Sequence, residues 1–408
     1  MNEPLWRPSQ QRIDAAQITR FREYLQSQGF EVGLSYDQLH HWSVDQPEQF
    51  WQAIWEFGQV VAEGDRQPVL VDGDKFPGAR WFPSTRLNFA ENLLRCRDER
   101  PALVSLLENG DRSELSYEQL YCRVAQLAAA MRKLDLKPGD RVAGFMPNIE
   151  ETVIAMLAAT SNGAVWSSCS PDFGINGVMD RFGQIEPRVL FAADGYYYNG
   201  KSCDSLERLA AIRSQIDSIE KVVVVPLLSP SPDISAIEGA VLFPDFFDLE
   251  AREVEFERLP FDHPLYIMYS SGTTGVPKCI VHGAGGTLLQ HLKEHRLHVD
   301  LTREDVLFYF TTCGWMMWNW LVSGLATGAT LVLYDGSPFA DEGKLLLDAI
   351  DQEKISVFGT SAKFIAALEK AGHKPAQSHQ LASLRTILST GSPLSHESFE
   401  YVYRDFKE

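Results

Sequence analysis

A short segment near position 275 combines hydroxyl groups, glycines and one lysine in an order that suits an anionic ligand. Small side chains allow backbone N–H groups to approach the ligand, hydroxyls add hydrogen-bond donors, and a lysine adds a mobile positive charge. An apolar run over residues 265–269 predicts a buried strand immediately before the segment. We therefore predict a phosphate-binding loop at the end of a strand, formed by Ser270, Ser271, Gly272, Thr273, Thr274, Gly275 and Lys278.

This loop differs from the P-loop of nucleoside triphosphatases. That motif requires Gly-x-x-x-x-Gly-Lys-Ser/Thr, whereas here Val276 and Pro277 separate Gly275 from the lysine, and Cys279 follows it. A turn rich in glycine, serine and threonine is often only a flexible surface loop. The Pro-Lys pair and the preceding strand favour function, and they indicate a different class of nucleotide site.

The sequence around this loop indicates an α/β protein. Strand-like runs alternate with helical runs, which is typical of βαβ units. In the first block the predicted strands are 102–106, 141–145 and 221–225, and the helices are 117–134 and 150–161. In the second block the predicted strands are 265–269, 306–310, 330–334, 356–358 and 386–388, and the helices are 343–353 and 363–371. We predict two mixed sheets flanked by helices, with a cleft between them.

We predict that residues 1–100 form an extension that packs against a large domain over residues 101–408. The first part is rich in Trp, Gln and acidic residues and carries an amphipathic helical pattern at 49–57.

Residues 306–334 contain no charged side chain and are long enough for a membrane-spanning helix. Three glycines interrupt this stretch and no basic cluster flanks it, so we predict strand, loop, helix and strand, all buried.

Composition excludes several classes of function. The 37 Lys and Arg against 55 Asp and Glu give a net charge of −18, which disfavours nucleic acids and anionic lipid surfaces as partners. The six cysteines form no Cys-x-x-Cys pair, and the N-terminus lacks the apolar stretch of a secretory signal. We therefore expect a cytoplasmic protein that acts on small molecules, with no membrane partner.

The predicted loop resembles the signature phosphate loop of the adenylate-forming superfamily, which includes acyl-CoA synthetases, luciferases and adenylation domains of peptide synthetases. Residues 115–120, 137–142, 163–166 and 170–171 follow in the order which that family uses. The resemblance covers nearly the whole chain. It implies the large N-terminal domain of that fold and a reaction in two halves. A carboxylate attacks ATP to give an acyl-adenylate and pyrophosphate, and the thiol of CoA then displaces AMP.

The resemblance also implies roles for individual residues. Lys278, Thr273 and Thr274 would be catalytic, because with Mg²⁺ they would stabilise negative charge on the leaving pyrophosphate. The turn formed by Gly391, Ser392 and Pro393 is similar to the one that packs on the adenine. Lys201 lies where related enzymes have arginines, which implies contact with the 3′-phosphate of CoA, although a surface lysine is more often simply solvated.

The acyl site implied by the resemblance lies around the Gly314-Trp315 pair. Trp315 would close the pocket, Met316 and Met317 would shape it, and Asn319 or Thr312 would donate to a β-keto oxygen. Such residues in an uncharged stretch are more often plain core. The motifs at 81–83, 87–94, 279–295 and 314–319 favour the branch that activates acetoacetate. An acetate or propionate ligase of the same fold is the alternative.

Two further expectations concern chemistry and length. His282 is treated as structural, because a carboxylate nucleophile needs no general base at pH 7. After residue 393 the sequence lacks the glutamate motif that holds Mg²⁺, the ribose-binding aspartate, the hinge and the small C-terminal domain of the family. We therefore expect an N-terminal portion that is inactive or weakly active alone, and that exposes an apolar sheet edge. A catalytically dead nucleotide-binding module is the second alternative.

Overall fold

The computed structural model describes residues 4–270 and 275–407. The first hundred residues form helices and short strands around an aromatic core. Ser35 and Gln38 form a reciprocal capping box at the third helix, and Pro47 begins the fourth, which buries Ala53, Ile54 and Trp55. The elements are α1 (Gln10–Ala15), α2 (Gln17–Ser27), α3 (Tyr36–Asp45), α4 (Pro47–Phe57), β1 (Glu63–Gly64), β2 (Leu70–Val71), β3 (Arg80–Trp81), β4 (Thr85–Leu87) and α5 (Phe89–Leu93).

The rest of the described chain alternates strands and helices, as the sequence predicts. The strands are β5 (Pro101–Leu107), β6 (Arg112–Ser116), β7 (Arg141–Phe145), β8 (Val165–Cys169), β9 (Val189–Ala193), β10 (Gly195–Tyr198), β11 (Lys201–Asp204), β12 (Lys221–Val225), β13 (Ala240–Leu242), β14 (Leu259–Pro260), β15 (Pro264–Ser270), β16 (Lys278–Gly283), β17 (Val306–Tyr309), β18 (Thr330–Asp335), β19 (Val357–Ser361) and β20 (Thr386–Thr390). The α-helices are α6 (Tyr117–Arg132), α7 (Glu150–Ser161), α8 (Ile175–Ile185), α9 (Leu206–Arg213), α10 (Ala284–Lys293), α11 (Met316–Ser323), α12 (Lys344–Gln352), α13 (Ala362–Lys370), α14 (Pro375–Ser378) and α15 (His396–Tyr401).

Two large mixed sheets form the body, which confirms the predicted fold class. The first has seven strands in the order β13-β12-β9-β7-β8-β15-β16, and the second has six in the order β20-β19-β17-β18-β5-β6. Neighbours are parallel except at two edges, where β16 runs antiparallel to β15 and β6 antiparallel to β5. Three smaller sheets in the described residues join β1 and β14 to β4, β2 to β3, and β10 to β11.

Helix α7 lies between the two sheets. It contacts β7 and β8 of the first sheet and β5 of the second. Its residues from Thr152 to Ser161 are all buried, which is expected of a helix that is covered on every side. This central helix fixes the spacing at which the two sheets meet.

The N-terminal region shares its core with the body. Strand β4 pairs with β14, with Leu87 opposite Leu259. The rings of Trp55 and Phe82 lie 4.8 Å apart, and the ring of Phe82 lies 5.1 Å from that of Phe261. Burial of such rings dominates core energetics, so residues 1–100 are packed into the body through a continuous aromatic cluster.

The stretch 306–334 forms strand, loop, helix and strand as predicted, but it is not all buried. Trp315 is 64% exposed, and Met316 and Met317 are only half-buried. The prediction of complete burial was wrong at these residues, because they lie in the loop and first turn that precede the buried part of α11. Among the described residues, no helix has the length and apolar character needed to cross a membrane.

Candidate active site

The carboxyl ends of the strands in both sheets meet at one edge. Asn148, just after β7, donates its backbone N–H to Asp335 Oδ1 at the end of β18, over 2.9 Å. Near the end of β8, Ser168 Oγ donates to the carbonyl of Cys313 over 2.7 Å. Strand β15 is parallel to β8, and β19 and β20 are parallel to β17. The segments after β15, β17 and β20 therefore lie at the edge where open α/β sheets bind their ligands.

The predicted phosphate loop joins β15 to β16. Ser270 pairs with Lys278 in the hairpin register, so the last residue before the loop faces the first strand residue after it. Ser270 is half-buried, whereas Gly275 and Lys278 are exposed. Gly275 has φ +98°, a conformation that favours glycine. The other predicted loop residues lie outside the described residues: Ser271, Gly272, Thr273 and Thr274.

Neighbouring elements hold both ends of this loop. The Oγ of Ser167 lies 2.9 Å from the carbonyl of Ile267 and 2.9 Å from the hydroxyl of Tyr269, so it can donate to one and accept from the other. Burial raises the pKa of Tyr269, which keeps its phenol protonated. Gln184 of α8 donates to the carbonyl of Pro277 over 2.8 Å. Sequence reasoning did not find Gln184, because nothing in its own segment points to the loop.

The predicted acyl-site residues lie at the start of α11, beside the strand that leads to the loop. Trp315 is the residue before the helix, and Asn319 is buried. The Asn319 amide donates to Met268 Sδ over 3.1 Å, and its Oδ1 has no partner within the described parts of the chain. The structure thus brings Asn319 against β15, where its carboxamide links α11 to the strand that precedes the predicted phosphate loop.

A buried hydrogen-bonded junction holds α11 in place. Trp318 Nε1 donates to Asn148 Oδ1 over 2.9 Å, and the Asn148 amide lies 3.4 Å from the carbonyls of Thr311 and Tyr334. Burial raises the pKa of Asp335 to about 7. This junction was missed from the sequence, and its only local signal was an asparagine directly after a buried strand. It connects α11 to the ends of β7 and β18.

Lys201 lies on the β10–β11 hairpin and is exposed. The carboxylate of Glu108 accepts the backbone N–H groups of Asn199 and Gly200 at the hairpin tip, and that of Ser337 after β18 over 2.6 Å. These three N–H groups donate to one carboxylate, and such charge-assisted hydrogen bonds are strong. Lys201 belongs to this hairpin. Glu108 therefore attaches the hairpin to the carboxyl end of the second sheet.

The predicted adenine turn follows β20, which is an edge strand of the second sheet. Gly391 has φ +91° and is exposed. Ser392 and Pro393 line a cavity of about 650 Å³, together with Trp6 from the N-terminal region and the partly exposed Phe399. The turn thus borders an open, partly apolar cavity at the edge of the sheet.

A second cavity, of about 420 Å³, lies between β3, β16 and α10. Its lining includes Met316 of the predicted acyl site. His282, which the sequence treated as structural, also lines it, is half-buried and tilts against the ring of Tyr266 at 5.0 Å. Burial lowers the pKa of His282, so its ring is uncharged at pH 7. Arg80 of β3 contributes to the same wall, from a region predicted only to pack.

Comparison with known proteins shows the family to which the chain belongs. The model of the AMP-binding enzyme family matches residues 89–408, and that of the acetyl-coenzyme A synthetase N-terminus matches residues 36–93. The chain is 50% identical over 406 residues to an acetoacetyl-coenzyme A synthetase of Rhizobium meliloti (strain 1021), covering 99% of this chain and 62% of that protein. It is 40% identical to a malonamoyl-CoA synthetase of Penicillium aethiopicum, covering 99% of this chain and 60% of that one.

A solved structure shows the same fold. The acetoacetyl-CoA synthetase from Streptomyces lividans superposes with a TM-score of 0.94 at 42% identity, covering 99% of this chain and 62% of that one. The chain therefore spans about three-fifths of the length of these relatives.

Proposed function

Because the chain belongs to the AMP-binding enzyme family, we propose that it is the nucleotide-binding body of an acyl-CoA ligase that activates acetoacetate. The carboxylate attacks the α-phosphorus of ATP, which forms acetoacetyl-AMP and releases pyrophosphate. The thiol of CoA then attacks the acyl carbon, which forms acetoacetyl-CoA and releases AMP. The identity to proteins named acetoacetyl-CoA synthetases supports the choice of acid.

One observation carries the proposal: Ser270 and Lys278 pair with each other across the β15–β16 hairpin, at the carboxyl end of β15, which runs parallel to β8. A triphosphate bound there would meet the hydroxyl of Ser270 and the exposed ammonium of Lys278 at the two ends of the loop. Negative charge that develops on the leaving pyrophosphate would be stabilised by these groups without rearrangement of the strands.

Mg²⁺ would enter this site with ATP, held by the phosphate oxygens. In the parts of the chain that the structure describes, no group of three or more His, Cys, Asp and Glu side chains is arranged to hold a metal ion. Mg²⁺ commonly retains water and substrate phosphate ligands instead of occupying an all-protein cage. The chemistry it supplies when bound is neutralisation of phosphate charge, while Lys278 orients the same phosphates.

CoA is the third proposed substrate. Its 3′-phosphate would meet Lys201 on the hairpin that Glu108 fixes. The adenine of ATP would pack on the turn formed by Gly391, Ser392 and Pro393. The six free cysteines favour the cytoplasm as the location. The proposed partners are thus small molecules only.

Pyrophosphate exchange tests the proposal and separates its alternatives. Exchange measured with acetoacetate, acetate, propionate and butyrate should be fastest with acetoacetate, whereas a ligase of the alternative class would prefer acetate or propionate. A nucleotide-binding module without activity would bind MgATP in calorimetry yet show no exchange with any acid.

Substitution of Lys278 tests the loop itself. Lys278→Ala removes a charge-assisted contact, so MgATP affinity should fall roughly 10- to 100-fold. Lys363→Ala, which changes an exposed lysine on α13, is the matched control and should bind like the original chain. Equal MgATP affinity in both variants would contradict the proposed role of the loop.

A further inference from the structure

Helix α8 contacts the β15–β16 hairpin through an arginine and a glutamine. The Cζ atom of Arg181 lies over the ring of Phe173, 4.5 Å from its centroid, and over the ring of Tyr269, 5.6 Å from its centroid. Tyr269 belongs to β15 near its carboxyl end. Gln184, further along α8, donates to the carbonyl of Pro277. Helix α8 therefore contacts the residues on both sides of the predicted phosphate loop.

Both rings that contact Arg181 are fixed by other elements. The hydroxyl of Tyr269 lies 2.9 Å from Ser167 Oγ of β8. The carbonyl of Phe173 accepts a hydrogen bond from Arg208 Nη1 over 3.3 Å. A guanidinium that lies over fixed aromatic rings is already oriented, so it loses little freedom when it binds a ligand. The guanidinium of Arg181 is thus preorganised close to the carboxyl edge of the first sheet.

Arg181 has hydrogen-bonding capacity that the described residues leave unused. A guanidinium carries five N–H donors, and within the described residues Arg181 makes one hydrogen bond, from Nη1 to the carbonyl of Gly177 over 2.7 Å. After α8, Arg188 pairs with both Asp140 and Glu220, whereas Arg181 pairs with no carboxylate in the same described ranges. Arg181 is half-buried. Its other donors are therefore available to a ligand.

A phosphate group is the anion that best suits this guanidinium. Arginine forms two parallel hydrogen bonds to phosphate oxygens. The net charge of −18 repels a polyphosphate unless local cations offset it. In the hairpin, Tyr269 pairs with Cys279, beside the pair formed by Ser270 and Lys278. The ring under Arg181 therefore belongs to a residue one strand position before the Lys278 pair, about 3.4 Å along the strand.

Two nucleotides of the proposed reaction contain a diphosphate that could meet Arg181. ATP would approach from the predicted phosphate loop, which follows Tyr269. CoA would approach from the β10–β11 hairpin, because Arg208 both donates to the carbonyl of Phe173 and lies 5.9 Å from the ring centroid of Tyr196 in β10. The elements that surround Arg181 thus belong to both predicted nucleotide regions.

We propose that Arg181 binds the diphosphate of a nucleotide substrate and that Phe173 and Tyr269 hold its guanidinium in the binding orientation. The inference rests on the proposed function and adds a second cation to its phosphate site. The ligand chemistry is a diphosphate, and its source is either the β- and γ-phosphates of ATP or the diphosphate of CoA. Binding measurements with the two nucleotides distinguish these sources.

Substitution by methionine isolates the charge from the packing. Arg181→Met removes the N–H donors but keeps an unbranched apolar chain that can lie over both rings. Arg123 of α6 is exposed and lies 5.5 Å from the ring centroid of Phe247, so Arg123→Met is the matched control. Arg181→Lys keeps the charge without the planar fork and should recover part of the lost affinity. Thermal melting of the three variants verifies that each is folded.

Calorimetric titration of the full chain with MgATP, AMP, CoA and pantetheine tests the inference. In Arg181→Met the affinity for MgATP or for CoA should fall roughly 10- to 100-fold. AMP and pantetheine contain no diphosphate and should bind as they do to the original chain. A loss confined to MgATP assigns Arg181 to the triphosphate, and a loss confined to CoA assigns it to the CoA diphosphate. Arg123→Met should match the original chain with all four ligands.

Two results with Arg181→Met would overturn the inference. One is unchanged affinity for both MgATP and CoA. The other is an equal loss for AMP and pantetheine, because Arg181 would then act only through the packing of α8. If Lys278→Ala weakens MgATP binding while Arg181→Met changes neither nucleotide, only the assignment of Arg181 fails. If the original chain binds neither MgATP nor CoA, the ligase proposal fails and this inference fails with it.

Discussion

The indole N–H of Trp318 donates to Asn148 Oδ1 over 2.9 Å, and the backbone N–H of Asn148 donates to Asp335 over the same distance. These two bonds connect helix α11 to the ends of β7 and β18, which belong to different sheets. All three residues are buried. Asn148 thus joins two residues that are distant in sequence: Trp318 lies 170 positions from it and Asp335 lies 187 positions from it.

Removal of the Asn148 side chain should destabilise the fold. Asn148→Ala leaves the indole N–H of Trp318 buried without an acceptor, which costs about 1–3 kcal/mol. The same substitution made in a Trp318→Phe background should cost about 1 kcal/mol less, because the unpaired donor is gone. Urea unfolding of the four proteins measures this coupling, and additive losses would show that the bond is energetically unimportant.

Removal of the Glu108 carboxylate should loosen the β10–β11 hairpin. Glu108→Ala deprives the backbone amides of Asn199, Gly200 and Ser337 of their common acceptor. We expect faster hydrogen exchange at these three amides and weaker CoA binding at Lys201. Glu114→Ala, which removes an exposed carboxylate that pairs with Arg112 on the same strand, is the control. Unchanged exchange in Glu108→Ala would show that the hairpin is held by other contacts.

Acidification should destabilise the chain through two buried histidines. Burial lowers the pKa of His291 to about 3 and that of His295 to about 4, against an ordinary value of 6.5. Below pH 6.5 the two rings therefore take up protons in the unfolded chain but stay neutral in the folded chain. The free energy of unfolding is highest above pH 6.5 and falls as the pH drops towards 4. At pH 5 the loss is about 2 kcal/mol for each ring.

Urea midpoints measured from pH 7.5 to pH 5 test this dependence. His291→Gln should lose stability less steeply over that range than the original chain does. His396→Gln changes an exposed histidine on α15 and should follow the original curve. A steep curve retained in His291→Gln would mean that His291 takes up its proton in the folded state.

Asp335 should lower the stability of the chain as the pH rises, opposite to the effect of the two histidines. Burial raises its pKa from 3.8 to about 7, so the folded chain holds a proton that the unfolded chain has lost. The cost of the buried charge is absent below pH 3.8, grows as the pH rises and is complete above pH 7. Asp335→Asn keeps an oxygen to accept the Asn148 N–H, so at pH 8 it should be more stable by about 2–4 kcal/mol. Thermal melting at pH 8 and pH 5 measures the difference, and a less stable variant at pH 8 would reveal a partner for the carboxylate.

The sequence by itself determined the fold class and the bounds of several elements. Helix α7 and strands β7 and β12 lie at the predicted bounds, because their apolar runs are long and their ends carry turn residues. The predicted phosphate loop could be proposed from the sequence because its hydroxyls, glycines and Lys278 are contiguous in the chain. The roles of this loop, of Lys201, of Gly391 and of the 315–319 segment remain predictions.

Only the tertiary structure decided which distant groups support the site. Gln184 contacts Pro277 across 93 positions, and Glu108 contacts Ser337 across 229. The cavity joins Arg80 of the N-terminal region to Thr287 and Met316. A local pattern carries information about burial and backbone conformation over a few residues, whereas these contacts exist only because the sheets meet at their carboxyl edges.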